Sequence, residues 1–262
     1  MLPHRQRVDV LTMPLTPHPN GPALAAVMTG KVAIITGASG DIGAGLVAGY
    51  RGWDWAVVAS GSTIKPSEDP KVLAVEGDIA DPATARRVIG GGLDRFGRID
   101  TLVNNAAVVI SKPFTDYTAA DYAAVVGVNL TGFFWMTQRA IAEMARRYGG
   151  HVVNVPAAVA EVTDSGTPAV LTALTNGALA ASTRSLAAEY AAYGIRVNAV
   201  SPGIIAASMH PPEGSDSLGG RLTPLGRAGE VSDVVDGVLF LESSPNITGE
   251  TLHINGGQIA GG

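Results

Sequence analysis

The chain has 262 residues, enough for one large α/β domain but too few for two comfortable ones, and its 46% hydrophobic, 16% charged composition suits a sheet covered on both faces. A net charge of -5 without a basic block argues against nucleic acid or an anionic membrane as partner, which leaves small molecules and other proteins. The absence of Cys excludes disulfides and thiolate sites, no His pair has metal-ligand spacing, and no apolar run approaches the roughly 20 residues of a membrane span. With no basic-then-apolar leader pattern at the start, a soluble cytoplasmic protein without a metal is expected.

Residues 1–28 carry five prolines and no sustained periodicity, and are expected to form a flexible N-terminal extension upstream of a domain over 29–262. From Lys31 onward short apolar runs alternate with amphipathic helical stretches, the pattern of a parallel sheet with helices on both faces. Lys31–Thr36 predicts a strand, followed by a glycine turn and a helix to about Gly52. Trp55–Ser60 and Val72–Glu76 predict two further strands, Pro82–Phe96 a helix, and Ile99–Asn104 a fourth strand. A long helix is predicted over Ala119–Tyr148, stopped by Gly149 and Gly150, with a strand at Val152–Val155. Another long helix covers Pro168–Tyr193 and is capped by Gly194, and Arg196–Val200 is the sixth strand. Residues 203–229 are irregular and long enough for a substrate lid. The last helix is predicted over Glu230–Leu241 and the last strand over Thr251–Ile254.

Thr36-Gly37-Ala38-Ser39-Gly40-Asp41-Ile42-Gly43 lies between a strand and a helix, where a dinucleotide pyrophosphate meets a helix N-terminus. With Gly77-Asp78-Ile79, Asn104-Asn105-Ala106-Ala107, Val128-Asn129-Leu130, Ile195-Arg196-Val197-Asn198, Ser201-Pro202-Gly203 and Ile247-Thr248-Gly249…Asn255-Gly256-Gly257, it resembles the short-chain dehydrogenase/reductase family over residues 30 to 257. The resemblance implies a single doubly wound Rossmann-type α/β domain with a seven-stranded parallel sheet. It implies a dimer or tetramer built through the two long helices. It also implies NAD(P)(H) along Gly37, Ser39, Asp41, Ile42, Gly43, Ser62, Asp78, Ile79, Asn104, Ala106, Pro202, Gly203 and Ile205.

In that family a Tyr serves as general acid or base, a Lys four residues later holds the ribose, a Ser polarises the carbonyl and an Asn organises a proton relay. Here the Tyr position is Thr172, the Lys position Asn176, and the Ser region reads Asn154-Val155-Pro156-Ala157-Ala158, so Asn129 alone of the four is kept. No Tyr lies between Tyr148 and Tyr190 and no Lys follows Lys112. An aliphatic hydroxyl is far less acidic than a phenol, and losing a positioned general acid costs about 10²–10⁴-fold in rate.

The cofactor positions are altered as well. Asp41 replaces a glycine, and a carboxylate about 5 Å from a phosphate charge costs on the order of 3 kcal/mol at an effective dielectric near 20. The same acid in a first helical turn stabilises the helix by about 0.3–1 kcal/mol. After the second strand the chain reads Ser60-Gly61-Ser62, with Lys65 able to reach a 2′-phosphate, and Ala206 or Ala207 replaces the Thr that contacts the nicotinamide. NAD(P)(H) held weakly and no cofactor at all are both compatible with these residues.

Asn129, Thr172, Asn176 and His210 are the candidate catalytic residues, with Thr175 beside them. For Asn129 the alternative is stabilising a helix kink, for Gly37 and Gly43 tight packing alone, and for His210, Glu161 and Asp164 solvated loops; His253 is expected to be structural. Three functions follow. One is a divergent family member acting on a small molecule by non-standard chemistry, either non-redox or oxidoreduction with substituted acid–base groups. The second is an inert subunit that stabilises or regulates an active relative, and the third a conventional NAD(P)(H)-dependent oxidoreductase.

Overall fold

A computed structural model describes residues 30–156, 168–206 and 223–260. The expected extension over 1–28, the middle of the lid segment, His210, Glu161 and Asp164 lie outside the described residues.

The strands are β1 (Val32–Thr36), β2 (Ala56–Gly61), β3 (Val72–Glu76), β4 (Thr101–Asn104), β5 (Gly150–Asn154), β6 (Ile195–Pro202), β7 (Ile205–Ala206), β8 (Gly229–Glu230) and β9 (Thr251–Ile254). The helices are α1 (Asp41–Gly52), α2 (Pro82–Phe96), α3 (Ala119–Val126), α4 (Phe133–Ala145), α5 (Val170–Tyr190) and α6 (Val231–Ser243). Seven strands form one parallel sheet in the order β3-β2-β1-β4-β5-β6-β9, and β7 pairs β8 in a separate two-residue ladder inside the expected lid segment. The order reverses between β1 and β4, which opens the crevice of a doubly wound sheet at their carboxyl ends.

Side-chain alternation divides the core in two. Ile34, Val58, Leu102, Val152 and Val197 point to the face covered by α2, α4 and α5. Ile35, Val57, Val103, Val153 and Val200 point to the face covered by α1 and α6. Both faces being dry accounts for the unbroken apolar runs of β1 and β2.

The helix expected over 119–148 is interrupted by a π turn, Gly127–Gly132, with Asn129 inside it. The cause is tertiary: Asn129 bonds a neighbouring loop, as described below, and the widened turn aims it there. The expected glycine stop also differs, since Tyr148 takes the left-handed conformation at φ 52. Gly150 belongs to β5, where a Cβ would stand 2.5 Å from Met144 Sδ, so close packing rather than chain reversal demands glycine there.

Candidate active site

The turn after β1 is built around two glycines. Gly37 has φ 65, and a Cβ on it would stand 2.8 Å from Ala106 Cα. A Cβ on Gly43 would stand 2.2 Å from the Gly37 carbonyl oxygen, because α1 sits directly on the turn. Thr36 and Asn105 buckle this arrangement. Thr36 Oγ1 accepts from the amides of Asn105 and Ala106, each at 3.0 Å, and Asn105 Nδ2 donates to the Thr36 and Gly37 carbonyls at 3.0 and 3.3 Å. Asn105 stood in the quoted motif without a role of its own, and only its contacts assign one.

The first residues of α1 receive no side-chain cap from Gly40, so amide groups at this helix start are available to an anion. Asp41 is exposed in that first turn, with Ile42 half-buried behind it. Ser39 lies over the end of β2, where a Cβ on Gly61 would come 2.1 Å from Ser39 Oγ. Ser62 and Lys65 are exposed just beyond. Asp78 Oδ1 accepts from the Ala80 amide at 2.9 Å, and Ile79 is buried against α4's start.

Asn104 does not open onto this crevice. Alternation along β4 turns it to the α4 side, where its Nδ2 donates to Thr137 Oγ1 and Asn154 Oδ1, each at 2.9 Å, while its Oδ1 is buried without a partner. Asn154 Nδ2 continues this seam to Thr183 Oγ1 at 2.9 Å.

At the other end of the crevice Asn129 clamps two elements together. Its Oδ1 accepts from the Val108 amide at 2.8 Å, and its Nδ2 donates to the Val108 carbonyl at 3.0 Å and to Thr175 Oγ1 at 3.2 Å. Thr175 Oγ1 in turn donates to the Thr172 carbonyl at 3.0 Å. Asn129, Thr172, Thr175 and Asn176 are therefore brought together, all buried. Thr172 Oγ1 is fully enclosed and has no hydrogen-bond partner among the described residues. A cavity of ≈ 110 Å³ lies next to Asn176, Pro156 and Ser201. Gly203 packs under the C-terminal turn, donating its amide to the Ile254 carbonyl at 2.8 Å, and a Cβ on it would meet Gln258 Oε1 at 2.3 Å. Pro202 and Ile205 are buried beside it, and His253 is exposed on β9.

Among the described residues no group of three or more His, Asp or Glu could hold a metal, and no helix is long and apolar enough to cross a membrane. A glycine turn against the start of α1, at the reversal point of a parallel sheet, defines a doubly wound nucleotide-fold domain. The family described as enoyl-(acyl carrier protein) reductase matches residues 43–258. A 3-oxoacyl-[acyl-carrier-protein] reductase of Staphylococcus aureus is 32% identical over 242 residues, spanning 87% of this chain and 98% of that protein. An uncharacterized oxidoreductase of Methylorubrum extorquens is 34% identical over 247 residues, with 88% and 98% covered. ElxO with NADP bound superposes with TM-score 0.81 at 27% identity, covering 88% of this chain and 100% of that one. A gluconate 5-dehydrogenase of Burkholderia cenocepacia in complex with NADP and tartrate gives TM-score 0.78 at 27% identity over 90% and 97%. The chain belongs to the short-chain dehydrogenase/reductase family of oxidoreductases.

Proposed function

We propose that this chain holds NADP(H) weakly in the crevice and binds a small carbonyl or alcohol compound beside Thr172 and Asn176. Hydrogen-bonding groups stand there where its relatives use proton-transferring ones. The carrying observation is Thr172 Oγ1, a fully buried hydroxyl without a partner, at the family's Tyr position and one turn before Asn176. A buried polar atom left unpaired costs about 1–3 kcal/mol, so a ligand oxygen that accepts from it, once the side chains enclosing the hydroxyl give way, recovers that cost.

The residues fit a dinucleotide with one opposing charge. Gly37 supplies the tight turn, the start of α1 supplies amide donors, and Gly61 and Ser62 at the end of β2 bring no carboxylate of their own against a 2′-phosphate, with Lys65 three residues further on and Glu76 paired with Gly61 on β3. Asp41 opposes the pyrophosphate, but its exposure lets solvent screen it, so it weakens binding without abolishing it. NADP in ElxO and in the gluconate dehydrogenase supports the same choice. When bound, the nucleotide would supply the hydride, and water entering the crevice would supply the proton that completes the alcohol. Thr172 donates a hydrogen bond to the ligand oxygen, Asn176 donates or accepts beside it, and Asn129 holds the Val108 loop and α5 in register. None of the three changes protonation state near neutral pH, so turnover falls below that of relatives by at least about 10²-fold.

The test has two arms. NADPH at 100 times its dissociation constant adds about 2.7 kcal/mol to the folded state, read as a rise in melting temperature. The double substitution Thr172→Tyr with Asn176→Lys is then expected to raise NADPH-dependent reduction of a small ketone at least about 10²-fold. No thermal shift with NADPH or NADH, together with no gain in the double variant, would overturn this reading.

A second reading is favoured by the outer face of α4. Leu130, Phe133, Phe134 and Trp135 line an open groove of ≈ 330 Å³ with Ser182 of α5. Phe134 and Leu174 are 51% and 59% exposed, and apolar surface of this kind suits a subunit contact. It would serve a homo-oligomer, or a hetero-oligomer in which this chain stabilises an active relative. Recovery from the native host only with itself excludes the hetero-oligomer.

A further inference from the structure

We infer that a buried polar cluster at the amino ends of the strands is a proton-controlled clasp, holding the C-terminal end of α6 and the edge strand β9 against the sheet. It lies on the opposite side of the sheet from α4 and α5, and the proposed chemistry does not use it.

Glu242, in the last turn of α6, is the hub. Its Oε2 accepts from Tyr50 of α1 at 3.0 Å, from Thr101 Oγ1 of β4 at 2.9 Å and from His151 Nδ1 of β5 at 3.0 Å. Arg196 of β6 stands 4.0 Å from its Oε1. His151 is 1% exposed, and its Nε2 faces Asn198 Nδ2 at 3.0 Å and Arg196 Nη1 at 3.3 Å. The Asn198 amide has a settled orientation, because its Oδ1 accepts from the Glu250 amide and its Nδ2 donates to the Ile247 carbonyl. Two donors thus point at Nε2, which must accept; Nδ1 carries the proton, and the ring is neutral.

The charged and titratable groups around His151 are Glu242, Tyr50, Arg196 and, farther off, Lys31. Burial lowers the histidine pKa and Arg196 and Lys31 add to it, outweighing the attraction of Glu242. Burial also disfavours the Glu242 carboxylate, but the bonds from His151, Thr101 and Tyr50 prevail and hold its pKa below the usual range. A neutral histidine beside an ionised carboxylate is the state consistent with the geometry.

A proton added at Nε2 would face two donors, one of them a guanidinium, so both contacts at that nitrogen are lost. Those same two side chains secure the end of α6 and the turn into β9. Arg196 donates to the helix-end carbonyls of Leu241 and Glu242 at 2.8 and 3.1 Å and to the Ile247 carbonyl beyond the helix at 3.2 Å, tying the end of α6 to the segment that leads into β9. Among the described residues β9 pairs only with β6, and it runs on into the turn packed on Gly203, so the clasp is continuous with the crevice.

The folded-state histidine pKa is depressed, so the clasp is intact above the ordinary value of about 6.5 and is lost as pH falls toward the folded value. With the opened state protonating near 6.5, the opening constant rises by up to about tenfold by pH 5.5. The test is hydrogen exchange of peptides spanning 240–258 at pH 7.5 and 5.5, corrected for intrinsic rates, in the wild type and His151→Gln. The glutamine amide can donate to Glu242 and accept from Asn198 without titrating. Expected is a rise of up to about tenfold, confined to 240–258 in the wild type and absent from the variant. An equal rise in both, or a rise shared by the whole sheet, overturns the clasp. So does an NMR titration of His151 in the wild type with a midpoint at or above about 6.5, a measurement that needs no variant.

Discussion

Replacing Asn129 by Ala removes one side chain that holds both backbone groups of Val108 and touches Thr175. The Thr175 hydroxyl keeps its bond to the Thr172 carbonyl, so the main loss is at Val108, whose amide and carbonyl are left without their 2.8 and 3.0 Å partners. At about 1 kcal/mol per lost bond, more where water cannot enter, the cost is about 2–3 kcal/mol. For a domain of this size that lowers the melting temperature by roughly 5–10 °C. Differential scanning calorimetry at pH 7.5 is the assay, with Asn129→Asp as a control that keeps the acceptor for the Val108 amide and loses the donors. Asn129→Asp is expected to fall at least as far as Asn129→Ala, because a buried carboxylate then faces the Val108 carbonyl oxygen. A shift under about 2 °C for Asn129→Ala would mean that the clamp does not stabilise the fold, and Asn129 would have to be explained by ligand contact alone.

Gly43→Ala forces a Cβ to within 2.2 Å of the Gly37 oxygen and 2.7 Å of Ala38 Cα, both backbone atoms, so either α1 or the turn must move. A loss of about 3 kcal/mol in urea unfolding is expected, together with weaker NADPH binding; an unchanged midpoint would show that α1 does not rest on the turn. Thr172→Val removes a buried hydroxyl that has no partner while keeping the shape, and should stabilise the ligand-free protein by about 1 kcal/mol. A destabilised valine variant would reveal a structural bond to Thr172 and remove the main support for a ligand contact there.

The order of strands and helices was readable from composition and period alone, because a sheet dry on both faces needs continuous apolar strands and amphipathic helices between them. β3 and α2 begin and end where expected, the latter because Asp81 caps the helix through the Ala83 amide with Pro82 at its start. The glycine turn was legible for the same local reason: Gly37 needs a positive φ whatever lies around it.

What sequence spacing could not decide is where side chains point once distant segments meet. Asn104 and Asn105 are neighbours, yet one turns into the α4 seam and the other buckles the nucleotide turn, a choice made by β4's register against β1 and β5. The π turn around Asn129 answers Val108, 21 residues earlier, rather than any helix-breaking residue. His151 and Glu242 are 91 residues apart, just outside the predicted strand Val152–Val155 and the predicted helix Glu230–Leu241, and their pairing arises where α6 folds over β5 and removes both from water. Composition, period and motif order were enough to carry the family and the doubly wound sheet. That the Thr172 hydroxyl is enclosed without a partner among the described residues, and that Glu242, His151 and Arg196 meet beneath α6, came from the assembled fold, because burial and pairing depend on segments far apart in the chain.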